Sequence, residues 1–326
     1  MESGPAEPRR LRRLTDKLAA LGHRPPFWAL AATMVLVLAL LVAYAASRPQ
    51  GWRPAVLVTP TKSPVVTPPP EPAPTPTPAP PQPELAQAIA GIEAQYNTSI
   101  GLAIAPIASP GQVTTEPWVG GTLTTSLAWQ TIDIPVGFAV ASGANQPADL
   151  AYLLDKSIAQ NSDAGDEALW QFLGTPDVAS ASTAAVLAAT GDETTTIPSG
   201  SSADGASVFS SVWWTNADAA QFMGVFFCMS ASWPVVSHLQ PAGDDTVFGL
   251  ATLPNALVRT GSGNPDSLIT GITVRQVGLL TLADGGRVGV SLSAMADDGT
   301  LETAGEAMTA VAALLPSLTG FDSRTC

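Results

Sequence analysis

The sequence predicts an α+β domain over residues 84–326, an antiparallel sheet flanked by helices. Three observations carry this. Strand-like apolar stretches lie at both ends of the region, and amphipathic helical stretches fill its middle. The last two strand-like stretches are separated only by a tight turn. Strands from the two ends of a chain can share one sheet, with the intervening helices packed on its faces.

Taken in order, "TSIGLAIAPI" (98–107) alternates as a strand should, and "SPG" after it is turn chemistry. A second strand near 112–119 is closed by "GG". From Thr131 to Ala141 the pattern turns helical. "QPADLAYLLDKSIAQ" (146–160) places apolar residues at 150, 153, 154 and 158, one face of a helix. "AGDEALWQFLG" (164–174) is a further helix stopped by Gly174, and "TPDVASASTAAVLAAT" starts the next with Pro176 in its first turn. The stretch 191–211, rich in Gly, Ser and Thr, reads as a surface loop, and "TNADAAQFMGVFFC" as helix. Beyond residue 246 come "ALVRTG" and a hairpin of 271–282 with 287–295 across "ADGG". A helix in "LETAGEAMTAVAALLPSL" closes the region, and no internal repeat is evident.

Three segments precede the domain. Residues 1–26 hold six basic and three acidic side chains, a basic tail. Residues 27–46, "FWALAATMVLVLALLVAYAA", carry no charge, and twenty residues at about 1.5 Å each match the roughly 30 Å bilayer core. The Arg-rich flank predicts a single-pass anchor with the N-terminus in the cytoplasm and the rest outside. A cleavable signal peptide is the competing reading because "AYAAS" offers small residues. The apolar run is long for a signal's core of about 7–15 residues. Residues 47–83 are Pro-rich, a stiff spacer in which Pro removes the backbone donors that helix or sheet would need.

Residues 84–326 hold five basic and twenty-three acidic side chains, a net charge of −18, which excludes nucleic acid as a partner. The chain's two cysteines, Cys228 and Cys326, fall here, and in an oxidising compartment an even pair most simply forms one disulfide. Three Lys against eleven Arg, with much Ala, Pro and Gly, point to a GC-rich bacterial genome. The exported region has a single histidine, His238, too little for a Ser-His-Asp site, and no Cys/His cluster for zinc. No cofactor is expected. The doublets Asp244-Asp245 and Asp297-Asp298 read as solvated loop charges.

Three short stretches remain. "AWQTIDIP" (128–135) opens a helix after the first strands; "NSDAGDEALW" (161–170) places Ser162-Asp163-Ala164 immediately before another helix; and "LVRTG" (257–261) places Arg259-Thr260-Gly261 on a strand. In this order, and with these elements, the chain resembles the serine β-lactamase and penicillin-binding protein family, whose chemistry rests on S-x-x-K at a helix start, S-D-N in a loop and K-T-G on a strand. It looks most like single-domain extracytoplasmic members from actinobacteria, which also have the short C-terminal helix and terminal Cys. The resemblance covers roughly residues 84–326.

The same alignment of motifs shows what is missing. Gln130 stands where the nucleophilic Ser would be and Asp133 where the Lys would be. Acyl transfer needs a nucleophilic oxygen activated by a neighbouring base, and a carboxamide supplies none. Thr131 lies one residue on, about 100° around a helix from the motif face. Ser162 keeps its hydroxyl, which in the family assists proton transfer, and it equally suits the N-cap of the following helix. The family has cations at both Lys positions; here one is Asp133 and the other Arg259, which predicts an ion pair across the former cleft. The expectation is a membrane-anchored extracytoplasmic domain that has lost acyl-enzyme chemistry and binds a cell-wall peptide or an envelope protein. The alternatives are a serine hydrolase working through Ser162 or Thr131, and a structural envelope protein with a filled cleft.

Overall fold

The computed structural model describes residues 75–200, 211–239, 247–264, 271–319, 321 and 326. These fall in one compact unit, Pro70–Cys326. The basic tail, the apolar run 27–46, most of the Pro-rich stretch, part of the 191–211 loop and the Asp244-Asp245 doublet lie outside the described residues. Among the described residues no helix is long and apolar enough to cross a membrane.

The chain enters through helix α1 (Pro83–Tyr96) and runs into strand β1 (Thr98–Pro106). Strands β2 (Trp118–Gly121), β5 (Leu257–Gly263), β6 (Thr273–Thr281) and β7 (Arg287–Ala296) join β1 in one antiparallel sheet ordered β2-β1-β7-β6-β5. Strands from the two ends of the domain thus meet at β1–β7, where Thr98 faces Ala296 and Pro106 faces Val288. The β6–β7 hairpin closes at Thr281 and Arg287, and its turn holds Gly285 at φ +84°, a conformation that glycine adopts without strain.

Helices cover both faces. On one face α1 and the final helix α8 (Leu301–Ala312) bury Ile100, Leu102 and Ile104 of β1 with Val288, Val290 and Leu292 of β7. Each such side chain contributes about 1.5–3 kcal/mol by leaving water. On the other face the same strands present Gly101, Ala103, Ala105, Gly289, Ser291 and Ser293, all small. Helix α6 (Asn216–Phe226) can therefore lie almost on the sheet. A Cβ at Gly289 would stand 2.4 Å from the Ala220 carbonyl oxygen, so this position tolerates no side chain. The hydroxyls of that face are satisfied by Asn216, which accepts from Ser291 (2.8 Å) and donates to Ser293 (2.8 Å).

Beyond α6 lies an all-helical layer. Helix α2 (Asp133–Ser142) is its centre and is apolar nearly all round. It is packed by α4 (Asp163–Phe172), α5 (Pro176–Ala189) and α7 (Trp233–Val236). Phe138 of α2 meets Phe226 of α6 edge to face at 5.3 Å.

Some elements differ from expectation. The stretch 146–160 is a short α-helix, α3 (Leu150–Leu154), followed by a wider turn at Asp155–Ala159. Helix α1 and the three-residue strands β3 (Thr125–Leu127) and β4 (Trp213–Thr215), which pair with each other, were not anticipated. The end of the Pro-rich stretch is docked: the Thr77 N–H donates to the Thr114 carbonyl (3.0 Å), and the Glu116 N–H to that of Thr77 (2.8 Å). A donor is present there because the position is Thr, not Pro.

Cys228 and Cys326 form a disulfide, with Cα atoms 5.4 Å apart.

Candidate functional site

The site forms where the edge strand β5 crosses the start of α2. Residues Trp129–Ile132 make one 3-10 turn leading into that helix. Trp129 enters it at φ +49°, a left-handed conformation that costs a bulky residue energy. Its indole lies across Gly263, where a Cβ would meet the ring at 2.4 Å. Two residues back along the strand, a Cβ at Gly261 would stand 2.8 Å from the Gln130 backbone nitrogen. Glycine at 261 is what lets the strand approach the helix start so closely.

Gln130 is held by β5. The Ser262 N–H donates to Gln130 Oε1 (3.1 Å), and Arg259 Nε donates to the Gln130 carbonyl oxygen (3.2 Å). Arg259 is buried and points across to α2. Its Nη1 donates to the Ile158 carbonyl (2.8 Å), and its Nη2 to Asp133 Oδ2. Asp133 is the first residue of α2 and is fully buried, so the two residues form a buried ion pair, with the acid also favoured by the helix dipole. Thr260, alternating with Arg259 and Gly261 along the strand, faces the opposite side of the sheet, where its Oγ1 accepts from Gln276 Nε2 (3.1 Å).

Thr131 is fully buried, and its hydroxyl donates to the Ala128 carbonyl (2.5 Å). Ser162 stands at the N-cap of α4 without capping it through its side chain, and Asp163 and Ala164 are exposed. The structure therefore brings together Gln130, Asp133, Arg259 and Gly261. It directs Thr131 and Thr260 elsewhere. His238, half-buried, places Nδ1 2.7 Å from the Pro234 carbonyl, outside this group.

Two further residues, not among the motif positions themselves, join the site. Asp166 of α4 is buried, and its carboxyl lies within hydrogen-bond reach of that of Asp133; the buried hydroxyl of Ser157 faces it from the turn before α4. Burial pushes the Asp133 carboxyl well above the usual aspartate range, with Arg259 opposing the rise and Asp166 adding to it. Burial likewise raises Asp166, while Ser157 and Arg259 pull it down. The signal was available: the helical period that buries Leu169 and Trp170 in "AGDEALWQFL" also turns position 166 inward.

Across the sheet from Gly261, Arg275 of β6 is a second buried cation. It donates through Nε to Ser126 Oγ (3.1 Å) and through Nη2 to the Trp214 carbonyl (2.6 Å). Burial lowers its pKa to about 9. Among the described residues, no His, Cys, Asp and Glu side chains converge in a group able to hold a metal ion.

This architecture is that of the serine β-lactamases. The chain matches a β-lactamase from Chitinophaga pinensis with a TM-score of 0.55 at 12% identity, over 71% of this chain and 97% of that one. It matches a β-lactamase from Streptosporangium roseum at 0.54 and 11% identity (72% and 97% covered). A third, from Sphaerobacter thermophilus, gives 0.51 and 15% identity (70% and 94% covered). No family model and no curated protein sequence matches the chain. At these identities the likeness establishes the fold, and any chemistry has to come from the side chains themselves.

Proposed function

We propose that the chain is a membrane-anchored, extracytoplasmic protein whose β-lactamase-like domain does not perform acyl transfer. Its role is to bind a cell-wall peptide fragment or another envelope protein. The observation that carries this reading is Gln130. By motif order it stands where the resemblance would put the family's serine, in the turn leading into α2, and its side-chain oxygen accepts the Ser262 N–H of β5. The neighbouring cation is spent on Asp133, so no lysine-like base stands ready to activate a hydroxyl. Thr131 is no substitute, since its hydroxyl is buried and already donates to the chain.

Incubating the protein with penicillins and reading the intact mass should show no covalent adduct, and Ser162→Ala should change no measured activity. A stoichiometric acyl adduct on Ser162 or Thr131 would instead establish a hydrolase.

The exported location is supported by the Cys228–Cys326 disulfide, which persists in oxidising surroundings, and the anchor by the uncharged run 27–46 behind its Arg-rich flank. A single cysteine introduced within 60–80 should react with an impermeant thiol reagent on intact cells, whereas one within 1–26 should be protected. Labelling of the tail would reverse the orientation.

A further inference from the structure

We propose that Asp133 and Asp166 hold one proton between them, and that this shared proton clamps α2 to α4 beneath β5, so that the centre of the domain tightens as its surroundings acidify and loosens as they become alkaline. The inference goes beyond the proposed function and stands whether or not the domain binds a ligand.

Two carboxyl groups and one guanidinium meet in a space closed to water: Asp133 is fully buried, Asp166 and Arg259 nearly so. Were both acids ionised, the group would carry a net negative charge in a medium that solvates it poorly. One proton brings the total to zero.

The unpartnered oxygens of the group call for the same proton. Arg259 directs Nη2 to Asp133 Oδ2 and Nε and Nη1 to two carbonyls, and none of these bonds reaches the second acid. Oδ1 of Asp133 and Oδ1 of Asp166 are each buried and lack a hydrogen-bond partner, as does the hydroxyl of Ser157, which faces Asp166 and leaves Asp133 Oδ1 unserved. Buried acceptors are seldom left so, and the two carboxyl groups are within hydrogen-bond reach of each other. A proton on either acid is a donor placed between them and relieves the deficit.

The charged neighbours on the surrounding elements do not alter this balance. On α4, Asp163 is exposed and its charge makes Asp166 harder to ionise. On the turn before α4, Lys156 is bonded to Gln160, and Asp155 accepts from the Gln160 amide. On β6, Arg275 is bonded to Ser126 and Trp214, and beyond α7 His238 lies against Pro234. From β5 only Arg259 faces the pair, and from the 3-10 turn Gln130 is engaged with Ser262.

The sign of the pH effect follows from linkage. Both acids are harder to ionise in the folded domain than in the unfolded chain, where an aspartate titrates near about 3.9. The folded state therefore binds the proton more tightly. The stability this contributes is fully present below that value and is lost as pH rises through the pair's folded titration. Most buried carboxylates, which are paired in their ionised form, act in the opposite sense.

The test is thermal unfolding of the full-length protein in mild detergent across pH 5–8, for wild type and Asp166→Asn. The asparagine keeps the shape and supplies a permanent N–H donor to Asp133, so its bond needs no proton. From pH 5 up to the pair's folded titration the wild-type midpoint should fall relative to the variant, at most by about 3–5 °C per pH unit. Infrared spectra of the wild type at neutral pH should show a carboxylic-acid carbonyl band that Asp166→Asn and Asp133→Asn both remove. Equal pH slopes in wild type and variant would overturn the proposal. So would the lack of a protonated-carboxyl band in the wild type, a measurement that stands even if neither variant folds.

Discussion

Asp133→Ala is expected to destabilise the domain by about 3–5 kcal/mol, the cost of breaking a buried pair from one side. The truncation leaves Arg259 buried with Nη2 facing a void. The guanidinium keeps its bonds to the Gln130 and Ile158 carbonyls, which holds the loss toward the lower end of that range. Arg259→Met should cost a similar amount, because it strands two carboxyl groups without their cation. The double variant should be less damaged than the sum of the two, with a coupling of roughly 1–3 kcal/mol, since neither Asp133 nor Arg259 is left facing a missing partner and only Asp166 of the group remains. Urea unfolding followed to the linear extrapolation reads all four corners of the cycle. A single-variant loss under about 1 kcal/mol together with no coupling would mean that the pair is a bystander.

The legible part of this protein was what repeats with a fixed period. β1 and β7 alternate large apolar with small residues over nine and ten positions, β6 is a nine-residue apolar run, and the "ADGG" turn sits between the last two, so their place in one sheet was legible from pattern. Helix α1 was hidden by its neighbour. Its first residue, Pro83, reads as the end of the Pro-rich run, although Pro at the first helical position is well suited to start a helix, and Leu85 and Ile89 bury one face four residues apart. Strands β3 and β4 are three residues each, too short for a period of two to declare itself, and they exist because they pair with each other. At the site, the partnership of Asp133 with Arg259 could be anticipated from motif positions far apart in sequence. Gln130 with Ser262 could not, because it depends on how closely β5 approaches the helix start. That distance is set by Gly261 and by the left-handed turn at Trp129. Asp166 was overlooked for a different reason: beside Asp163 and Glu167 it looked like one more charge on a solvated helix start, whereas only its neighbours are exposed.

Reduction of Cys228–Cys326 is expected to remove up to about 4–5 kcal/mol, the chain-entropy value for a loop of this length, and to lower the unfolding midpoint by about 10–15 °C. The loop spans a sequence separation of 98 residues and contains β5, β6, β7 and α8. It therefore holds most of the sheet together with the helix that covers its far face. In the unfolded chain the bridge keeps these strands near the end of α6; without it, that closure has to be repeated each time the domain folds. Cys228 follows α6, which packs on one face of the sheet, while Cys326 ends the segment after α8, which packs on the other, so the bond ties both covering layers to each other as well. The bond is not the only fastening of α6, whose Gly224 meets Gly289 of β7 at close range, and Arg287 lies 4.9 Å from the centre of the Phe227 ring. The reduced domain should consequently still fold, with the same Asp133–Arg259 coupling at lower total stability. Thermal unfolding with and without reductant, beside thiol quantification of the native protein, decides the matter. An unchanged midpoint would assign the bridge no stabilising role, and two free thiols in the native protein would remove both the bridge and the support it lends to an exported domain.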